Sequence, residues 1–325
     1  MTGNVTFAPT PATLTGDVIS INRFLKDPIW VMRALRTITE QMFIANKILT
    51  AQLWTESGTV GYQQNENIYA DNSPQPVAPG AEYPTTTTGT GTASMANTIN
   101  WGQDSVITDA SISRQKFDVV GRAFTKLANS HVQKIDSVGL SAAASAVTQN
   151  TGAIASWAGT GATPMIFRDI MRAYASLINL KQGYMPDTLL MDTVTYANVV
   201  SDDKLMALLP REIPGFSNAP VQSGWDSPYM KRIGGFTFLG SPNLPVAGVA
   251  TLLDSKVFGG FTDEKQPAPG YVMSTGKDGL PDADGLQVKT IREDTTDSWR
   301  IRCRRITVPI VLEPRAAWQI TGVNL

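Results

Sequence analysis

Apolar residues recur every three to four positions along one long stretch: Phe117, Val120, Phe124, Leu127, Ala128, Val132, Ile135, Val138 and Ala142. This is the period of an α-helix burying one face. No proline occurs between Pro84 and Pro164, so the pattern predicts a single rod from Lys116 to Gln149, ~50 Å long at ~1.5 Å per residue. Phe117, Val120, Phe124 and Ile135 are its expected core residues, and Gly121 and Gly139 lie on or beside the stripe, where another backbone can approach. A second helix starts at Asp27-Pro28, with Asp27 as cap and Pro28 in the first turn. Its stripe is Trp30, Ala34, Leu35, Ile38, Met42, Ala45 and Leu49. A third follows Thr163-Pro164, with Ile166, Ile170, Ala173, Tyr174, Leu177 and Ile178 on one face and Gly183 as its stop.

Elsewhere the pattern is that of strands. Thr188–Met191, Gly235–Leu239 and Val249–Leu253 are short apolar runs, with short helices expected at Asp192–Asn198 and Asp202–Leu209. Trp299, Ile301 and Cys303 alternate with Arg300, Arg302 and Arg304, a half-buried strand that Ile306–Leu312 continues. Ala317–Thr321 closes the chain. Residues 1–26 show little periodicity and are expected to form an irregular arm. Between Thr50 and Arg114, glycines and prolines break the chain repeatedly. Pro84-Thr-Thr-Thr-Thr-Gly-Thr-Gly-Thr92 suits an extended ribbon with a mobile tip, flanked by strands at Thr59–Tyr62 and Ile99–Ile112. The whole is an α+β arrangement: arm, β-hairpin, rod, mixed α/β segment and returning strands.

Charge narrows the classes of function. Charged residues make up 17% of the chain, below the ~25% of an average soluble domain, and the net charge is −1. Tight non-specific binding to nucleic acid runs on many cations, so a chain this balanced is a poor candidate for gripping DNA tightly, though it could surround DNA without gripping it. No apolar run approaches the ~18 residues of a membrane span. Met1–Thr15 lacks the pattern of a signal peptide, so the expected site of synthesis is the cytosol.

Candidate chemistry is sparse. A lone cysteine, Cys303, allows no internal disulfide, and its place in an alternating strand points to a buried residue. The lone histidine, His131, sits beside the rod's apolar stripe and reads as a helix-face or core residue. One His and one Cys are too few for a usual zinc site. Gly270–Lys277 has the wrong spacing for a phosphate loop, and Asp278 stands where the magnesium-binding hydroxyl belongs. Asp282-Ala-Asp284-Gly285 lacks both anchoring carboxylates of a calcium loop. No cofactor, metal or catalytic residue is expected, and a dispersed carboxylate active site is the remaining enzyme alternative.

The terminal sequence Asp297-Ser-Trp-Arg300, Arg304-Arg305, Val308 and Glu313-Pro314-Arg-Ala316 resembles the closing pattern of tailed-bacteriophage major capsid proteins of the Hong Kong 97 type. The order of elements resembles that fold over essentially the whole chain. The resemblance implies an N-terminal arm and first helix at 1–49, an E-loop hairpin at 50–115, a P-domain spine helix at 116–162, an A-domain at 163–285 and returning P-domain strands at 286–325. It implies no enzyme, but a structural protein forming homo-pentamers and homo-hexamers of an icosahedral shell around phage double-stranded DNA, assembled in the host cytoplasm. A portal protein and a decoration protein are further implied partners. Some relatives carry a scaffolding segment before the arm; the short arm starting at Met1 leads to the expectation of a separate scaffolding protein. An encapsulin-like nanocompartment shell is the alternative, distinguished by its protein cargo.

Charge is also segregated. Ile48–Ser113 holds six acids, Glu56, Glu66, Asp71, Glu82, Asp104 and Asp109, and no Lys or Arg. The type member of the family locks its shell through a lysine on the E-loop; this hairpin has none. The acidic hairpin is expected to lie on a neighbouring subunit, with Arg33, Arg36, Arg300, Arg302 and Arg304 as candidate partners, the alternative being that these arginines pair within one chain or face solvent.

Overall fold

The computed structural model describes residues 21, 24–32, 44–87, 89–115, 117–159, 164–206, 225–227, 230–233, 235–266, 268–273 and 285–324. The chain forms two compact units. The first comprises Met1–Val60, Asn97–Ala142 and Gly260–Ile310; the second comprises Gly61–Ala96, Ala143–Gly259 and Val311–Leu325.

The rod of the first unit is a helix over Phe117–Ala146. Val120, Phe124, Leu127, Ala128 and Ile135 are buried on it as expected, while the side chain of Phe117 lies outside the described residues. The helix stops short of the predicted Gln149, and its Ala-rich end is packed, with Leu140 and Ala143 buried. It lies on a six-stranded sheet in which Ala51–Thr55, Gly259–Glu264, Ser298–Val311, Leu286–Glu293 and Val272–Met273 follow in order, and Ile99–Thr108 also pairs with Ser298–Val311. Trp299, Ile301 and Cys303 of the long strand face the rod and share its core with Val120, Phe124 and Leu127. The alternation therefore does in space what it promised in sequence: apolar side chains go inward and Arg300, Arg302 and Arg304 take the other face.

Glycine makes two of these approaches. Ala51–Thr55 runs parallel to Gly259–Glu264 with Ala51 opposite Gly260, and a Cβ at 260 would collide with the Ala51 carbonyl. Gly139, on the buried face of the rod, leaves room for the ring of Phe261, which a Cβ there would meet at 2.7 Å.

Several expectations need correction. The arm is not irregular throughout: Ile21 and Leu25 are helical and fully buried, one helical turn apart. The first helix does begin at Pro28, and Asp27 accepts from the amide of Ile29 at 3.1 Å. Its phase differs, however, for Trp30 is exposed while Val31 and Met32 are buried. The middle of that helix, including Arg33 and Arg36, lies outside the described residues. The strand expected at Ile99–Ile112 ends at Thr108, and Asp109–Gln115 is a helix.

The second unit is built on a seven-stranded sheet ordered Asn150–Gly152, Ala317–Thr321, Val249–Leu253, Thr188–Asp192, Phe236–Ser241, Met230–Ile233 and Trp225–Ser227. The helix Ile166–Asn179 covers it, burying Ile166, Ile170, Ala173 and Leu177 with Leu189, Phe238 and Leu252. Tyr174 is partly buried against this core, and Ile178 is exposed. Asp192 caps the next helix, Thr193–Ser201, accepting from the amides of Val194 and Thr195. Thr59–Gln64 and Thr92–Asn97 form a separate two-stranded ribbon. The predicted boundary at 285/286 is displaced: Gly259–Glu264 and Val272–Met273 belong to the first sheet, and the terminal strands divide, Ser298–Val311 joining the first sheet and Ala317–Thr321 the second. A two-residue period identifies a strand but not its partner.

Candidate assembly interface

The ribbon is held together across its strands by Thr59 Oγ1 donating to Asn97 Oδ1 at 3.1 Å and Ser94 Oγ donating to Gln64 Oε1 at 3.2 Å. Residues 65–87 and 89–91 beyond it contain no helix or strand. Their exposed large side chains include Ile68 (63%), Tyr69 (55%) and Tyr83 (79%), and Met95 on the ribbon is 78% exposed. Singly exposed apolar residues are ordinary; a series along one irregular segment marks a surface to be covered.

The root of this segment is fixed within the second unit. Gln64 Nε2 donates to the Val311 carbonyl at 2.7 Å. The Glu313 carboxylate accepts from the amide of Glu66 at 3.2 Å and from the Tyr184 hydroxyl at 3.1 Å. Gln182 accepts from the amide of Ile68 and donates to Asn67. Burial and then the Glu313 charge push the Tyr184 hydroxyl up to about 12, so it remains a donor at any physiological pH. Glu313, read from sequence only as part of a closing pattern, thus anchors the ribbon.

The six hairpin acids fall into two groups. Asp104 and Asp109 are paired within the chain. Asp104 receives Arg302 through two bonds of 2.8 Å, with Arg300 Nη1 3.7 Å away, and the Arg302 hydrogen bond holds its carboxyl below the usual range despite partial burial. Asp109 receives Arg292 at 2.7 and 2.6 Å. Glu56, Glu66, Asp71 and Glu82 are exposed, and none meets a cation among the described residues. Of the candidate arginines, Arg300 pairs with Glu293 at 2.5 Å and Arg302 with Asp104. Arg304 meets no acid among the described residues: its Nε donates to Gln287 at 2.8 Å and its guanidinium lies 3.8 Å from the ring centre of Tyr271.

Two polar features of the core escaped the sequence reading. Arg305 is fully buried and meets Asp263 through two bonds of 3.0 Å. The signal was present, since Arg305 breaks the alternation and falls on the inward face with Trp299, Ile301 and Cys303, where a charge requires a partner. Asp136 is buried on the rod and accepts from the amides of Ile44 and Ala45 at 3.1 and 3.0 Å, at the start of the helix Ala45–Ile48. Burial pushes its carboxyl up to about 6, against the opposing pull of those two amides. His131 is a core residue, its Nε2 3.1 Å from the Cys303 carbonyl, with burial lowering its pKa. Cys303 is buried and its thiol is pushed up by desolvation. The phosphate-loop and calcium-loop look-alikes fall largely outside the described residues. Among the described residues no group of His, Cys, Asp and Glu is placed to hold a metal, and no helix is long and apolar enough to cross a membrane.

Residues 91–320, well over half of the 325-residue chain, match the family model for phage capsid protein. The chain belongs to the phage capsid protein family. It is a structural protein of the virion capsid, and it assembles with copies of itself into a shell. The fold of this capsid protein is shared with solved structures at low identity. The capsid of cyanophage P-SCSP1u is similar with a TM-score of 0.57 and 12% identity, over 87% of this chain and 89% of that one. A phage-related protein from Bordetella bronchiseptica RB50 gives 0.56 and 10%, over 92% and 97%. The SrpI encapsulin of Synechococcus elongatus PCC 7942 gives 0.52 and 12%, over 88% and 89%. No curated protein sequence matches the capsid protein.

Proposed function

We propose that this capsid protein is the major head subunit, closing into pentamers and hexamers of an icosahedral shell around double-stranded DNA. The first unit acts as P-domain, the ribbon with residues 65–91 as E-loop, and the seven-stranded unit as A-domain. The carrying observation is the ribbon: rooted by Glu313, Gln64 and Gln182, it presents Ile68, Tyr69, Tyr83 and Met95 to solvent. Such a surface is stable in a shell because a neighbouring copy covers it; head-to-tail contacts of this kind close into rings. A separate scaffolding protein, a portal protein and a decoration protein are the further partners of this reading, and assembly takes place in the host cytoplasm.

Negative-stain microscopy of the expressed chain, alone and with a candidate scaffold, tests the proposal: closed shells are expected, and small oligomers under all conditions refute it. The nanocompartment alternative predicts shells that enclose a captured protein. Nuclease-protected DNA in shells from infected cells decides for the virion reading.

A further inference from the structure

The outer face of the long strand of the first unit carries an open groove of about 470 Å³, lined by Asn100, Gly102, Asp104, Tyr271, Arg302 and Arg304. Its charges do not balance. Arg302 and Asp104 neutralise each other, and Arg300 is taken by Glu293 and Asp104. Arg304 is left over. Tyr271 beneath it and Gln287 at its Nε fix the plane of the guanidinium, and its Nη2 is buried without an acceptor. With Nε bonded and Nη2 closed to solvent, an incoming carboxylate would reach this preoriented guanidinium through Nη1.

The same chain supplies the complement. Glu56, Glu66, Asp71 and Glu82 lie on a segment without a single Lys or Arg, are exposed, and meet no cation among the described residues. We propose that the Arg304–Tyr271 groove of one subunit seats a ribbon carboxylate from a second copy of this chain, and that Arg304, not Arg300 or Arg302, is the arginine that crosses the subunit boundary. The inference rests on the shell reading above and names a partner for its ribbon. A nucleic-acid phosphate fits less well. Arg304 and Lys289, whose Nζ lies 5.6 Å from the centre of the same Tyr271 ring and donates to the Pro269 carbonyl, are the cations there without an acid among the described residues, with the Asp104 carboxylate beside them, whereas backbone binding gathers more.

The test uses the full chain assembled into shells. Arg304→Lys keeps the charge and introduces an amine. Treating these shells with a water-soluble carbodiimide joins that amine to a touching carboxylate, and peptide mapping by mass spectrometry identifies it. The expected product links position 304 to Glu56, Glu66, Asp71 or Glu82 of another subunit and is absent from unmodified shells. In parallel, Arg304→Glu is expected to cut shell yield at least ~10-fold, while the soluble subunit keeps its circular dichroism. One ribbon reversal, from Glu56→Lys, Glu66→Lys, Asp71→Lys and Glu82→Lys, should restore assembly. Coupling only to acids of the same chain, no coupling at all, or coupling that appears only once DNA is removed overturns the inference; the last assigns the groove to phosphate. If the unmodified chain forms no shell, the shell reading itself falls and takes this one with it. If shells form and the link is missing, only this inference falls.

Discussion

Asp136 shows how one buried residue sets a pH dependence. Its carboxyl is pushed up by burial to about 6 from an ordinary 3.8, so between these values the folded subunit holds a proton that the unfolded chain has released. Stability from this residue is therefore greatest below about pH 4 and falls as pH rises to about 6, by ~3 kcal/mol at ~1.4 kcal/mol per pH unit. Urea unfolding of unassembled subunits from pH 4 to 7 should show this slope against the Asp136→Asn variant, in which it is removed. Identical pH profiles would mean that Asp136 is hydrated. Phe124 gives a second prediction at this scale. It is 2% exposed between rod and sheet, with the ring of Phe24 6.1 Å away. Phe124→Ala should cost ~3–5 kcal/mol and lower soluble yield; shells of unchanged thermal stability would show that the rod packs otherwise. Residues of this kind were legible in part. Phe124, Val120 and Ile135 follow from spacing alone. Asp136 does not, since a carboxylate beside an apolar stripe is ordinarily solvated, and only the neighbouring amides of Ile44 and Ala45 account for its burial.

The elements were easier to recognise than their pairings. The segment from Thr50 to Arg114 reads as one long glycine- and proline-rich excursion, yet its ends are sheet. Ala51–Thr55 pairs with Gly260–Glu264 and Ile99–Thr108 with Thr307–Ser298. Only Thr59–Asn97 departs as ribbon and tip. Hydrogen exchange on free subunits should divide at these limits. Amides of Thr85–Thr87 have no backbone partner in a sheet or helix; contacts near the tip run through side chains, as in Thr87 Oγ1 to Asp71 at 2.8 Å and the amide of Asn72 to Thr86 Oγ1 at 3.3 Å. They should exchange fast, while Ile107, whose amide faces the long strand opposite Trp299, exchanges orders of magnitude more slowly. Uniform fast exchange from 50 to 115 would place the whole segment outside the folded subunit.

For the whole molecule, the decisive property is that the hairpin has no nucleophile to offer for a covalent lock. Lysine supplies the only side-chain amine for an isopeptide bond, and none lies between Ile48 and Ser113. Mature shells boiled in detergent and reductant should therefore release a single band of 35.0 kDa; a ladder of covalent multimers would show a chemical lock built from other residues. This conclusion comes from composition, as do the rod, the half-buried terminal strand and the absence of a zinc-type ligand set, because each depends on residue type and local period. Tertiary structure alone decided which sheet each strand joins, that Gly260 admits a parallel neighbour, that Asp104 and Asp109 are paired at home, and that Arg304 meets Gln287 and no acid among the described residues. These are contacts between residues as far apart in sequence as Ala51 and Gly260. Their geometry is set by strand pairing within the first unit, and a local pattern carries no record of the distant partner.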